Sequence, residues 1–273
     1  MKKVILITGA SSGMGKDAAI QLIKEGHTVY TAARRIEKMA DLKEMGGFPI
    51  KMDVSIDEEV QAVVDQIIQK EGKIDVLWNN AGYGLYGAVE DIPIDDARRQ
   101  FEVNIFGLAN LTQKVLPFMR KANAGTIINT SSMGGKMYTP LGAWYHATKH
   151  ALEGWSDCLR LELKQFNINV VILEPGAIYT EFGDVMAEPM LKYSGKSAYS
   201  KLTQILAKAT KAMYSNPKSI SPTSVITKTI LKIVNASKPK TRYRVGKYAK
   251  PMVWMRIYLG DKLFDKIIMS QVK

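Results

Sequence analysis

The chain has 273 residues, 46% of them hydrophobic, enough for one large α/β domain or two small ones with a well-buried core. Its single cysteine, Cys158, excludes an internal disulfide and a multi-cysteine zinc site, and no run approaches the roughly eighteen uncharged apolar residues of a membrane-spanning helix. The net charge of +12 is unevenly placed, with 20 Lys+Arg against 23 Asp+Glu up to Asp184 and 18 against 3 in the last 89 residues. A basic carboxyl-terminal third of this kind suits a solvated lysine-rich face, and it also suits an anionic surface or ligand. No nucleic-acid-binding motif accompanies it, so no nucleic-acid partner is expected. The opening "MKKVILITGA" has too short an apolar run and too early a glycine for a signal peptide, which makes the cytoplasm the expected compartment.

In chain order, apolar runs alternate with stretches of helical period. "KVILIT" at 3–8 reads as a first buried strand and runs straight into "TGASSGMG" at 8–15. A glycine-rich turn between a strand and a helix lets backbone approach a diphosphate and aims free N–H groups at it. The spacing is T-G-x-x-x-G-x-G, and its place on the first strand of an alternating pattern points to a dinucleotide rather than to a plain tight turn. A helix is expected over 17–25, then a second strand at "HTVYTA", 27–32. Where a carboxylate for a free ribose 2′-hydroxyl would stand at its end, the chain has Ala33, Arg34 and Arg35. Guanidinium forks suit a 2′-phosphate, so NADP(H) is expected over NAD(H); the alternative is two arginines opening a surface helix.

Further strands are expected at "FPIKMD" (48–53), "KIDVLWN" (73–79), "GTIINTS" (125–131) and "NVVILEP" (169–175), with helices over 56–71, 97–120 and 145–165. Each strand is continuously apolar, as parallel strands covered on both faces are. The repeated βαβ order predicts an α/β fold, a Rossmann-type doubly wound parallel sheet in a single domain, with ligands at the carboxyl ends of the strands. It divides into a dinucleotide-binding and catalytic core at 1–182, substrate-binding loop and helices at 183–242, where the strand signal stops, and an amphipathic tail at 243–273. In "WYHATKHALEGW", Tyr145 and Lys149 are four apart and share one helix face.

Taken together, these motifs resemble the short-chain dehydrogenase/reductase family over about residues 1–182. "TGASSGMG", with Gly9, Ser11, Ser12, Gly13, Met14 and Gly15, resembles its cofactor turn, and Asp53-Val54 its adenine-side contact. "NNAG", with Asn80, Ala81 and Gly82, resembles its fourth-strand motif, and "VNIFG" carries the helix asparagine, Asn104. "NTSS" supplies the serine, Ser132, "YHATK" the Y-x-x-x-K pair, and "PGAIYT", with Pro175, Gly176, Ile178 and Thr180, the stretch that meets the nicotinamide end. The resemblance implies an NADP(H)-dependent oxidoreductase of CH–OH donors that needs no metal. Tyr145 would pass the proton to or from the substrate oxygen, and Ser132 would hydrogen-bond that oxygen. Lys149 would favour the phenolate and bond the nicotinamide ribose, while Asn104 would hold a water linking the lysine to solvent. A non-catalytic NADP(H)-binding redox sensor of the same fold is the alternative, but it has no use for all four side chains. His146, about 100° round the helix from Tyr145, is expected to pack rather than to catalyse.

A pocket rim is expected from Phe182, Val185, Met186, Met190, Leu191, Tyr193 and Tyr199, with Met133, Met137, Tyr138, Tyr83, Leu85 and Tyr86. Methionine and aromatic side chains favour a bulky apolar alcohol or ketone over a sugar or a charged acid. "YGLYGAVEDIP" and "RYRVGKYAK" also resemble the steroid and retinoid dehydrogenase branch of the family. Subunits of the family commonly pair through the asparagine and tyrosine helices, which here are apolar on more than one face, so a homodimer or homotetramer is expected. The tail places Val253, Trp254, Ile257 and Tyr258, then Leu263, Phe264, Ile267 and Ile268, at helical spacing with basic residues between. It either docks on protein or lies peripherally on an anionic membrane.

Overall fold

The computed structural model describes residues 2–270 and Val272. Seven parallel strands form one sheet, β1 Val4–Thr8, β2 Thr28–Ala33, β3 Phe48–Lys51, β4 Val76–Asn79, β5 Gly125–Thr130, β6 Ile168–Pro175 and β7 Arg242–Val245, in the order β3-β2-β1-β4-β5-β6-β7. Between them run α1 Gly13–Lys24, α2 Ala40–Glu44, α3 Asp57–Glu71, α4 Ile94–Phe101, α5 Gly107–Lys121 and α6 Ala143–Leu163. After β6 come α7 Phe182–Ser194, α8 Ser200–Ser215 and α9 Ser224–Asn235, and after β7 come α10 Ala249–Tyr258 and α11 Gly260–Ser270. This is the doubly wound α/β architecture that the alternating pattern predicts.

The strands read as continuous apolar runs because both faces are covered. On β1, Val4 and Leu6 join the core under α3 and α5, with Val60, Val64, Leu111 and Val115. Ile5 and Ile7 join the opposite core, with Ala18, Ala19 and Leu22 of α1 and Ile226, Ile230 and Ile233 of α9. Strand order reverses between β1 and β4, so the carboxyl ends of these two strands open the crevice in which such sheets bind ligands.

Local signals explain the helix limits. In α3 the first turn is acidic, with Asp57, Glu58 and Glu59 facing the positive end, and the helix stops at Gly72, which adopts φ +73°. Helix α1 begins four residues earlier than its periodicity indicates, because "GMGK" carries no apolar pattern although the turn before it already aims the chain. The expected helix over 97–120 extends from Ile94 to Lys121 and is widened by a π-turn at Glu102–Phe106, on which Asn104 sits. Such insertions recur at functional sites.

The six-strand reading is one strand short. In β7 the sequence R-Y-R-V alternates charge with apolar character, unlike the other strands, because it forms an edge. Tyr243 and Val245 pack on the α9 side. The two arginines turn to the other face, where the Arg242 guanidinium pairs with Glu153 at 3.1 Å and Glu174 at 3.2 Å, and Arg244 pairs with Glu174. Both carboxylates are buried. One face of the tail docks on the rest of the chain: Val253, Phe264 and Ile268 are buried, the last two against Met137, while Trp254, Ile257, Tyr258 and Leu263 face outward.

Removing the arginine from this network leaves two buried carboxylates short of a partner. Arg242→Ala is expected to lower the unfolding free energy by about 2–4 kcal/mol, below the range for a fully buried pair because the guanidinium is partly solvated. Urea denaturation reads the loss. A change within about 0.5 kcal/mol, as for an ordinary surface substitution, would show that the edge strand holds without the network.

Candidate active site

The first βα turn lies flush on the end of β4. Gly9 has φ +66°, and a Cβ there would come within 2.8 Å of the Ala81 Cα, so neither the conformation nor the space admits a side chain. The Thr8 hydroxyl accepts the N–H groups of Asn80 at 3.0 Å and Ala81 at 2.9 Å. In return the Asn80 amide donates to the carbonyls of Thr8 at 3.1 Å and Gly9 at 3.2 Å. Below this clasp, Asn79 donates to Asn129 at 2.9 Å, and Asn129 to Ser156 at 2.9 Å, a buried ladder from β4 through β5 to α6.

Above it runs a groove of about 780 Å³. Gly9, Ser11, Ser12, Gly13, Met14, Arg34, Arg35, Asp53, Val54, Asn80, Ala81, Gly82 and Thr180 all line it, as expected for cofactor contacts. Gly15 does not; it is packed beneath the turn, where a Cβ would meet the Asn80 amide at 2.7 Å. At the start of α1, Ser12 makes no side-chain cap and the first turn holds no acidic residue, so no anion of the helix itself opposes its N–H groups and positive dipole end. At the far end, Arg34 and Arg35 are exposed, and the acid among them, Asp53, pairs with Arg99 at 3.3 Å and bonds Ser55. A diphosphate at the turn and a further phosphate at the arginines fit this donor set. Arg99 is absent from the sequence expectations, because on "DDARRQ" it reads as one more charge of a solvated helix.

The groove continues past Asn80, Gly82 and Thr180 into a second cavity of about 440 Å³, which Ser132, Tyr145, Lys149, Pro175, Gly176 and Ile178 line. Lys149 donates to the Thr130 carbonyl at 2.8 Å and lies 6.0 Å from the Tyr145 ring centre. Burial pushes the Tyr145 phenol up to about 12, with the Ser132 hydroxyl pulling the other way. Burial draws Lys149 down to about 8, opposed by Glu153 one turn on. At neutral pH the pair is therefore a protonated phenol beside an ammonium, an arrangement able to donate a proton.

Two buried neighbours shape this pair through hydrogen bonds of their own, and of the two only His146 also lines the second cavity. Asn104, buried on its π-turn, lines neither cavity. Its amide donates to the Tyr83 carbonyl at 3.0 Å and to the Thr148 hydroxyl at 3.1 Å, and its oxygen accepts the Tyr83 N–H at 3.1 Å. The side chain expected to hold a water is thus engaged in fixing the loop after Gly82. His146 is buried; since the Thr139 N–H can only donate, Nε2 accepts it at 3.1 Å and the Nδ1 hydrogen goes to the Gly134 carbonyl at 2.9 Å. Burial lowers its pKa to about 4, so the neutral ring pins the loop that follows Ser132.

Of the expected rim, Tyr83, Tyr86, Met133, Met137, Phe182, Met186 and Met190 line the second cavity. Leu85, Val185 and Tyr193 line the groove instead. Leu191 belongs to the small α7–α8 core, Tyr138 meets Phe264 edge-on, and Tyr199 lies beside Glu90, which raises its phenol, all outside both cavities. Leu206, Met213 and Tyr214 of α8 supply a wall that the sequence reading lacks, although their spacing of seven and eight marks one helix face. Tyr248, Met252 and Ile268 add another from the tail.

The short chain dehydrogenase family matches residues 3–190. A 3-ketodihydrosphingosine reductase of Bacteroides thetaiotaomicron is 43% identical over 182 residues, which span 67% of this chain and 66% of that protein. An NADPH-dependent 1-acyldihydroxyacetone phosphate reductase of Saccharomyces cerevisiae is 31% identical across 100% of this chain and 92% of its own length. Among solved structures, a short-chain dehydrogenase from Streptomyces avermitilis superposes with a TM-score of 0.82 at 29% identity, covering 98% of this chain and 96% of that one.

Proposed function

The chain belongs to the short-chain dehydrogenase/reductase family of oxidoreductases, and on that premise we propose that it is an NADP(H)-dependent enzyme interconverting a hydrophobic secondary alcohol and its ketone. The observation that carries this reading is the placement of Ser132, Tyr145 and Lys149 in a cavity walled by Met133, Met137, Met186, Met190 and Met213, continuous with the arginine-ended groove. A bound nicotinamide dinucleotide supplies or accepts the hydride. Tyr145 gives its phenolic proton to the substrate oxygen in the reducing direction, and Ser132 donates a hydrogen bond to the same oxygen. The Lys149 cation stabilises the phenolate left behind, and its bond to the Thr130 carbonyl keeps it at that post. Asn104 acts as a positioning residue through Tyr83. Methionine side chains adapt to irregular apolar groups, and the relatives named for reducing 3-ketodihydrosphingosine and 1-acyldihydroxyacetone phosphate support a ketone on an apolar chain.

Consumption of NADPH with a panel of hydrophobic ketones tests the reading, and no turnover with any of them would overturn it. In the active pairing, Tyr145→Phe is expected to keep coenzyme binding and lose about 10²–10⁴-fold in turnover. Ketone turnover in the wild type should fall as pH rises through about 8, the value to which burial lowers Lys149. The cation beside the phenol is lost there, while Tyr145, held at about 12, keeps its proton. A kcat/KM profile that stays level well past that point would separate Lys149 from the chemistry.

Coenzyme choice rests on Ala33, Arg34 and Arg35. Ala33→Asp with Arg34→Ile removes a charge-assisted contact and adds a repulsive one, and the ratio of catalytic efficiencies should move from NADPH toward NADH. A wild type that prefers NADH would show the arginines to be ordinary surface charges.

Phe106 and Leu161 are 56% and 68% exposed on the π-turn and on α6, with Val103 and Trp155 half-buried on the same two segments. Apolar surface beyond the core stripe fits a two-fold partner, so light scattering should find a dimer or tetramer. A monomer would contradict this.

A further inference from the structure

We propose that the outer face of the α10–α11 hairpin, whose inner side helps wall the Tyr145 cavity, docks on an anionic lipid bilayer. The two helices meet at Gly260, whose φ of +73° makes the sharp turn. Their inner sides are committed to the enzyme through Val253, Phe264 and Ile268, and Tyr248, Met252 and Ile268 form part of the cavity wall. The outer sides carry an apolar set without a partner among the described residues. Trp254, Ile257 and Tyr258 are 55%, 55% and 69% exposed, the Trp254 and Tyr258 rings lie 5.6 Å apart, and Leu263 and Met269 continue the surface on α11.

The charges around this face decide its occupant. Asp261 is taken by Arg256 at 2.8 Å, and Asp265 accepts the Tyr138 hydroxyl at 2.8 Å. Lys250 lies one turn before Trp254, and Lys262 and Lys266 lie one turn apart on the side of α11 away from Phe264; none of the three has an ion pair among the described residues. Both acids are thus engaged locally, and an unpaired set of cations surrounds a tryptophan and a tyrosine. Indole and phenol rings favour the headgroup level of a bilayer, and lysines there meet anionic phosphates. A second copy of the chain is a poor occupant, because a two-fold axis through this face would bring like charges together. Helices of 10 and 11 residues are too short to cross, so the contact is interfacial. An apolar substrate would then enter the cavity from lipid; this last step rests on the function proposed above, whereas the docking does not.

The test is cosedimentation of the full chain with vesicles of phosphatidylcholine alone and with added phosphatidylglycerol, at low and high salt. Wild type is expected to prefer the anionic vesicles by about tenfold or more and to be released by salt. Trp254→Glu with Tyr258→Glu should cut that binding by about tenfold or more, and Lys262→Glu with Lys266→Glu should abolish the anionic preference. Both double variants should keep the wild-type melting temperature and turn over a small water-soluble ketone normally. Equal binding to both vesicles, no binding at all, or undiminished binding by the Trp254/Tyr258 variant overturns the docking. So does a loss of subunit association in that variant, which would make the face a subunit interface. Vesicle binding is read without turnover, so an inactive protein that still binds would sink the enzymatic reading alone.

Discussion

The Thr8 hydroxyl accepts two backbone N–H groups, from Asn80 and Ala81, and the rest of the site depends on that contact. Strands β1 and β4 lead their connections to opposite sides of the sheet, so nothing in the sheet ladder holds together the segments that leave their ends. The clasp does so, and it also sets how closely the glycine turn can lie on Ala81. From there the order passes inward through Asn79, Asn129 and Ser156 to α6, the helix that carries Tyr145 and Lys149. Groove and cavity are thus fixed relative to each other by buried polar contacts, which lose heavily if one partner is removed.

Burial acts on the two key side chains in opposite directions. It keeps the proton on Tyr145 and weakens the hold of Lys149 on its own, which leaves the lysine able to respond to its surroundings near neutrality. Glu153, one turn further along α6, counters the second effect. That carboxylate is in turn held by Arg242 on β7 and by Lys136 at 3.3 Å, so the edge strand reaches the chemistry through a charge network. A strand that looks like a late addition to the sheet therefore bears on the protonation of the site.

Much of this was legible in the sequence, and the divisions are physical. Continuous apolar runs gave β1 to β6, because double burial leaves a strong one-dimensional trace. The glycine turn and the Tyr145–Lys149 pair were legible because a backbone turn and a helical period fix their spacing, whereas Ser132 is implied by the family resemblance. Strand β7 was hidden because its burial is only partial and its arginines are satisfied by acids remote in sequence, Glu153 and Glu174. Thr148 and Arg99, and the partners of Thr8, were missed for a related reason: a hydroxyl or a guanidinium gives no sign of its partner until the chain has folded. For Asn104 the resemblance implies a water held for Lys149, whereas its amide is directed to Tyr83 by a π-turn that leaves no periodic signature.

The cavity walls come from segments with little strand or motif signal, α7, α8 and the α10–α11 hairpin, and they do two things at once. Their methionines and aromatic rings line the cavity beside Tyr145, whose burial pushes its phenol up to about 12. The same side chains set what may enter. A polar substrate would bring water with it, soften the field of the lysine and leave its own groups unpaired against methionine. In the proposed reaction an apolar ketone would leave its single oxygen as the one polar group facing Ser132 and Tyr145. On the proposed function, selectivity for an apolar chain would follow from the same burial that keeps the proton on Tyr145.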